Sequence, residues 1–226
     1  MSEKKFKDTL AMDLWFPTIV WNDNLKHIDN KMLNNYVLNL KEKDKGRIVT
    51  NYGGWQSNMI KSKIHEDLSP SENTDIIEKF IESLQNAINQ CVKMAGLMDL
   101  QICDYWWNIN YKGDYNKPHH HRDSILSGVY YIDIPEDNMG DIHFEREDPA
   151  QYFLPRYMPT RNKLTSTRAT YKPKTGGLLI FPSWVTHSVD GNKTDKPRIS
   201  MSFNTTIART PANDELARMN GFKHGL

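Results

Sequence analysis

The amino-acid sequence predicts a mainly-β α+β fold in which helices come first and a sandwich or barrel of short strands follows. Three observations carry this. Apolar residues recur at helical spacing before residue 97. Beyond it come short runs rich in β-branched and aromatic residues, separated by clusters of Gly, Pro, Asn and Asp. The chain also holds 6 Trp and 10 Tyr among 226 residues, which suits a β-rich core or a cofactor pocket.

Asp29 or Asn30 is expected to cap a first helix that carries Met32, Leu33, Tyr36, Val37 and Leu40 on one stripe and ends near Gly46. A longer helix follows Pro70, with Asn73, Thr74 and Asp75 as its cap. Ile76, Ile77, Phe80, Ile81, Leu84, Ala87, Ile88, Cys91, Val92 and Ala95 repeat at i, i+3/i+4, and Gly96 stops the run. Such a stripe predicts a helix lying on a sheet. Strands are expected over 104–111, 125–134, 140–144, 177–181 and 198–207, with polar turns at 112–114, 135–138 and 190–192. Residues 145–172 are basic and aromatic without a clear period: Arg146, Tyr152, Arg156, Tyr157, Arg161, Lys163 and Arg168. A connection of that length reads as an active-site lid or a binding loop, open to an anionic or peptide substrate. A short helix is expected over Glu215 to Met219.

Composition narrows the class. The formal net charge of +1 argues neither for nor against nucleic acid. No run of about eighteen apolar residues exists to span a membrane. The start, Met1-Ser2-Glu3-Lys4-Lys5-Phe6-Lys7, is charged and lacks the apolar stretch of a signal peptide. Cys91 and Cys103 make no disulfide framework. The expectation is a cytoplasmic, reduced protein of one domain spanning 1–226, with helical support over 25–97 and a β core over about 100–208.

The chemistry concentrates in Pro118-His119-His120-His121-Arg122-Asp123 and in Phe181-Pro182-Ser183-Trp184-Val185-Thr186-His187. Two histidines two apart on a strand point to one face, and a distant third closes a facial triad on one metal ion. His119, His121 and His187 would give three imidazoles. His121, Asp123 and His187 would give the commoner two-His-one-carboxylate set. Arg198 follows His187, and its planar guanidinium suits the far carboxylate of 2-oxoglutarate. Ser200 projects from the same strand face as Arg198. Asn108 and Asn110 alternate with Trp107 and Ile109 and so share an inner face. Each feature alone has a plainer reading: a surface His tract, a structural histidine, an ion-paired arginine. Their order along the chain, each at the edge of an expected strand, favours the iron site.

The chain resembles the 2-oxoglutarate- and Fe(II)-dependent oxygenases of bacteria and marine phages, relatives of the prolyl-hydroxylase group. The matching segments are Leu14-Trp15-Phe16-Pro17-Thr18 as an opening strand, Asn51-Tyr52-Gly53-Gly54-Trp55-Gln56-Ser57, Trp107-Asn108-Ile109-Asn110, Ser127-Gly128-Val129-Tyr130-Tyr131, Gly176 to Trp184, and Arg198 to Asn204. The resemblance implies a double-stranded β-helix (jelly roll) with the N-terminal helices packed on one outer face. Tyr111-Lys112-Gly113 matches the turn before the first metal histidine, so the ligands implied are His119, His121 and His187, with Asp123 as rival. Arg198 would bind 2-oxoglutarate, assisted by Ser200, Tyr131, Tyr111 and Asn108. The implied activity is a dioxygenase, by default a hydroxylase, that uses Fe(II), 2-oxoglutarate and dioxygen on an unidentified small-molecule or peptide substrate. Relatives often pair through their outer surfaces, so the resemblance leaves a homodimer open, and it gives a host cytoplasm if the chain is phage-encoded. Histidine at the carboxylate position departs from the wider group and adds one positive charge to the ferrous site. The alternatives are a three-His iron dioxygenase without 2-oxoglutarate, for which Arg198 has no purpose, and a non-catalytic metal-binding jelly roll.

Overall fold

A period of two along the longest strands organises the molecule. The structure, a computed structural model, describes residues 17–61, 74–152, 160–163 and 165–219. The strands are β1 (Trp21–Asn24), β2 (Asn51–Tyr52), β3 (Trp55–Gln56), β4 (Ile60–Lys61), β5 (Leu100–Asn110), β6 (Tyr115–His119), β7 (Leu126–Asp133), β8 (Ile142–Glu145), β9 (Arg168–Tyr171), β10 (Gly177–Pro182), β11 (His187–Val189) and β12 (Arg198–Ile207). They form two antiparallel sheets. The large sheet has the order β1-β10-β7-β12-β5-β3, with β4 also pairing β5. The small sheet has the order β2-β6-β11-β8-β9.

On β12, Ile199, Met201 and Phe203 point to one side of the large sheet and join the main apolar core. Arg198, Ser200, Ser202 and Asn204 point to the other side, into a cavity. The same alternation runs along β5, where Tyr105, Trp107 and Ile109 face the core while Trp106, Asn108 and Asn110 face the cavity. One sheet therefore carries an apolar face and a polar face at once.

Two helices cover the apolar face. Helix α1 (Asn30–Lys43) starts where Asp29 accepts a bond from the Met32 N–H at 3.1 Å, and it buries Leu33 and Val37. Met32, expected on its stripe, is exposed instead. The helix stops at Lys43, short of Gly46, because Asp44 is tied elsewhere. Its carboxylate accepts from the N–H groups of Gly46 and Asn58, and its carbonyl accepts from Trp55 Nε1. Helix α2 (Thr74–Ala95) buries Ile77, Phe80, Leu84, Ile88, Cys91 and Val92 against the sheet. Ala95 is exposed, and Gly96 ends the helix at φ +65°. The Phe80 ring lies 4.9 Å from Tyr130 and 6.1 Å from Trp107, so α2 is locked to β7 and β5 by aromatic contact. Each such fully buried ring or branched chain contributes about 1.5–3 kcal/mol. Asn73 lies outside the described residues.

Several expectations are corrected. The first hundred residues are not only helices: β1 to β4 lie there, and β1 forms an edge of the large sheet. Of the expected opening strand at Leu14 to Thr18, residues 14–16 lie outside the described residues, Pro17 and Thr18 are not in a strand, and the first described strand begins at Trp21. β6, β9 and β11 arise from stretches too short or too polar to show a period. The last helix, α3 (Pro211–Met219), begins earlier than Glu215 because Thr210 Oγ1 accepts from the Asn213 N–H. Among the described residues no helix is long and apolar enough to cross a membrane.

Candidate metal and co-substrate site

His119 ends β6, and His187 begins β11 directly opposite it. The strand reading of His119 and His121 needs correction, because His121 lies two residues beyond the end of β6. Its backbone N–H donates to the Ser183 carbonyl at 2.9 Å, which holds the turning chain against the segment before His187. One ring nitrogen from each of His119, His121 and His187 falls within a group 4.8 Å across. The ring centroids lie 4.3 Å apart for His119 and His187, and 5.2 Å apart for each of the other two pairs.

The neighbours of each ring decide which nitrogen is free. His119 Nδ1 lies 2.7 Å from the Lys117 carbonyl, and His187 Nδ1 lies 3.0 Å from the Val185 carbonyl. A carbonyl only accepts, so both Nδ1 atoms carry the proton. His121 Nδ1 is 2.6 Å from Asn204 Oδ1, whose amide is oriented by Nδ2 donating to the Asp104 carboxylate at 2.9 Å. Ser127 Oγ also donates to Asn204 Oδ1 at 2.9 Å. All three rings therefore offer an Nε2 lone pair, the tautomer a metal ligand requires.

Burial keeps these rings neutral. Desolvation first, and then the mutual repulsion of the histidines, holds His187 down to about 3 and His121 down to about 4. His119 is lowered for the same leading reason. Three neutral, converging, preoriented imidazole nitrogens fit a borderline divalent ion such as Fe(II).

Arg198 is the second unusual group. It is only 2% exposed, and burial pulls its pKa down from the ordinary value. Nη1 donates to the Met139 and Gly140 carbonyls, each at 2.9 Å, while Nε is buried without a partner. Among the described residues it has no carboxylate within ion-pair distance. Gly140 makes this seat possible: its φ is +95°, and a Cβ there would meet Arg198 Nη1 at 2.6 Å. A buried guanidinium held at one end by carbonyls, with a donor left over, has the chemistry to pair with an acid.

The three histidines and Arg198 line one cavity of about 250 Å³. Tyr131, Ser200 and Asn108 line it too, all buried. The Tyr131 hydroxyl is pushed up to about 12 by burial, against the opposing pull of Arg198, so it is a neutral donor at physiological pH. Tyr111 is not in this group. β5 ends at Asn110, the Tyr111 N–H donates to Asp114, and the exposed hydroxyl accepts from Lys41 Nζ at 2.7 Å. Asp123 is also apart: it sits exposed in a turn at φ +62°, outside the histidine group. The described part of 145–172 does not border the cavity either. Glu145, Tyr152, Arg161 and Arg168 surround a separate surface recess, and Arg168 pairs with Glu145 at 2.7 Å across β8 and β9. Arg156 and Tyr157 lie outside the described residues. Instead Arg47, Val49, Thr50 and Met59, together with Arg122, edge the cavity. Apart from Arg122, which lies in the histidine segment, those residues carried no sequence signal. Asn204 did: it follows Arg198 and Ser200 at even spacing, and so belongs to the same face.

Residues 104–204 match the family described as "Putative 2OG-Fe(II) oxygenase". No curated protein sequence matches the chain. Among solved structures, the chain is similar to a Pseudomonas putida prolyl-4-hydroxylase at 16% identity and TM-score 0.55, covering 84% of this chain and 94% of that one. It is similar to the epimerase SnoN, in a complex with Fe3+ and alpha ketoglutarate, at 12% identity and TM-score 0.54, covering 85% and 80%. The carbocyclase SnoK matches at 9% identity and TM-score 0.55, covering 89% and 86%. These likenesses speak to the fold; the family match over residues 104–204 and the histidine group speak to the chemistry, which is that of a 2-oxoglutarate- and Fe(II)-dependent oxygenase, an oxidoreductase using iron and 2-oxoglutarate.

Proposed function

We propose that the enzyme is a hydroxylase built on a double-stranded β-helix, coupling decarboxylation of 2-oxoglutarate to succinate with oxidation of a substrate C–H bond. Bound iron and 2-oxoglutarate supply the activation of dioxygen that this oxidation needs. The chain supplies position and polarity. His119, His121 and His187 hold iron through Nε2, each ring kept in register by its Nδ1 acceptor. Arg198 receives the far carboxylate of 2-oxoglutarate, and Ser200 and Tyr131 donate to the same acid. Asn108, bonded to Ser202 Oγ at 3.2 Å, forms part of the wall beside them. Val129 and Phe181 close the cavity on its apolar side and exclude water. The observation that carries this reading is Arg198: a buried cation with an unpartnered Nε, in the same cavity as three free imidazole lone pairs. Hydroxylation is supported by the prolyl-4-hydroxylase neighbour; the epimerase and carbocyclase neighbours are alternative outcomes on a similar fold.

The test is anaerobic reconstitution with Fe(II), followed by 2-oxoglutarate, with Arg198→Ala in parallel. A weak visible charge-transfer band in the parent protein, much reduced in the variant at equal 2-oxoglutarate, is expected. Iron binding with no band would remove 2-oxoglutarate from the reading, and an equal band in the variant would remove Arg198 from its role.

A further inference from the structure

The cavity wall is one-signed. Arg47, Arg122 and Arg198 line it with the four histidines 119, 120, 121 and 187, and among the described residues no Asp or Glu borders it. This is a local feature, because the whole chain is nearly neutral at +1. The acids nearby serve other partners. Asp104 accepts from Asn204, and Asp114 accepts from the Tyr111 N–H and partly offsets the charge of Arg198. An Fe(II) ion and the 2-oxoglutarate dianion cancel one another, so a loaded site still presents the charges of Arg47 and Arg122. Among the described residues neither side chain has a hydrogen bond or an ion pair. A cleft lined by one sign of charge, with apolar walls that focus the field, concentrates ligands of the opposite sign.

The cavity is also graded in depth. Arg198 is buried, Arg47 is half-exposed and Arg122 is exposed. Val49 and Met59 stand at the outer edge, 54% and 42% exposed, and Trp106 lies over His121 with ring centroids 5.7 Å apart. The volume of about 250 Å³ leaves little room beside a co-substrate. An occupant must insert a small apolar end toward the histidines and leave its charged end outside.

We propose that the substrate is a small amphipathic acid, a carboxylate or a phosphate ester. Its anionic group is held by Arg47 and Arg122 at the mouth, and its reacting carbon lies inside beside Trp106. This rests on the reading of the inner site as the iron and 2-oxoglutarate centre, and it assigns the outer site separately.

The experiment is calorimetric titration of the anaerobic protein loaded with Fe(II) and 2-oxoglutarate, with phenyl phosphate, benzoate and benzyl alcohol as probes. The visible band is followed throughout, so that a failure of the inner site is seen independently. At least tenfold tighter binding of phenyl phosphate or benzoate than of benzyl alcohol is expected, and the better of the two acids identifies the anionic group. In an Arg47→Gln/Arg122→Gln double variant that advantage should fall by about tenfold while the band remains. Equal affinity for the alcohol, no binding of either acid, displacement of 2-oxoglutarate by the acid, or an unchanged double variant would each overturn the proposal.

Discussion

The two faces of the large sheet are made from the same strands and have opposite characters. On the helix face, Met201, Phe203, Trp107 and Tyr130 are fully buried against α1 and α2. On the cavity face, the alternate residues Arg198, Ser200, Asn204 and Asn108 are buried as well, but they are polar. One face gains stability from apolar contact. The other places a cation and hydrogen-bond donors out of water, a cost the apolar face must offset. Stability and chemistry are therefore separated by one position along a strand, and substitutions should separate them too.

The largest effect is expected on the helix face. Phe203→Ala should cost about 3–5 kcal/mol of stability by opening a cavity under the helices. Chemical denaturation would measure this, and metal affinity per folded molecule should stay near that of the parent. A large loss of metal affinity in the folded fraction would break the separation of the faces.

Arg198→Met is expected to do the reverse. Loss of a charge-assisted carboxylate contact should weaken 2-oxoglutarate by about 2–3 kcal/mol, near 100-fold. The metal-free variant should be as stable as the parent or more so, since a buried cation without a carboxylate partner is replaced by an apolar chain of similar size. A destabilised variant would mean that the carbonyls of Met139 and Gly140 need the guanidinium for the fold itself.

Acid should act on the cavity face. In the unfolded chain an imidazole titrates near 6.5, whereas His121 and His187 titrate at about 4 and about 3 when folded. As pH falls below 6.5 the unfolded chain binds protons that the folded protein refuses until about 4 and about 3. The metal-free protein should therefore lose stability across that window and change little above it. Thermal melts from pH 7 to pH 4 check this, and a His187→Phe variant should show a shallower decline.

The smallest expected effect sharpens the comparison within the cavity face. Asn204→Ala removes the acceptor that fixes His121 without touching the metal position. It should weaken Fe(II) or Co(II) binding by about 10–100-fold, as loss of a ligand-orienting partner generally does. Competition with a chelator measures it, and an unchanged affinity would mean that His121 needs no orientation from Asn204.

Some of this could be read without a fold. The α2 stripe, the long strands and the alternation of Arg198 and Ser200 with Ile199 and Met201 follow from local periodicity, which records which side of an element is apolar. The short strands β6, β9 and β11 could not be read this way. They carry too few residues for a period, and their pairing comes from neighbours distant in sequence. Arg161 and Arg168, from the basic run of 145–172, line a recess apart from the cavity, which could not be read for a related reason: composition marks a segment as polar but does not say which way it faces.

By itself, the sequence determined the donor types, the spacing of the histidines and the division of each long strand into an apolar and a polar face. Those properties are local, set by residue chemistry and by the pleat of a strand. Only the tertiary structure decided which residues share the cavity. Cross-strand register set His119 against His187, a turn pinned by Ser183 brought His121 to them, and the Asp104–Asn204 pair chose its tautomer. The same three-dimensional path turned Tyr111 and Asp123 outward and brought Arg47 and Arg122 to the mouth. Contacts of that kind depend on satisfying buried polar groups across the whole sheet, and no window of sequence contains them.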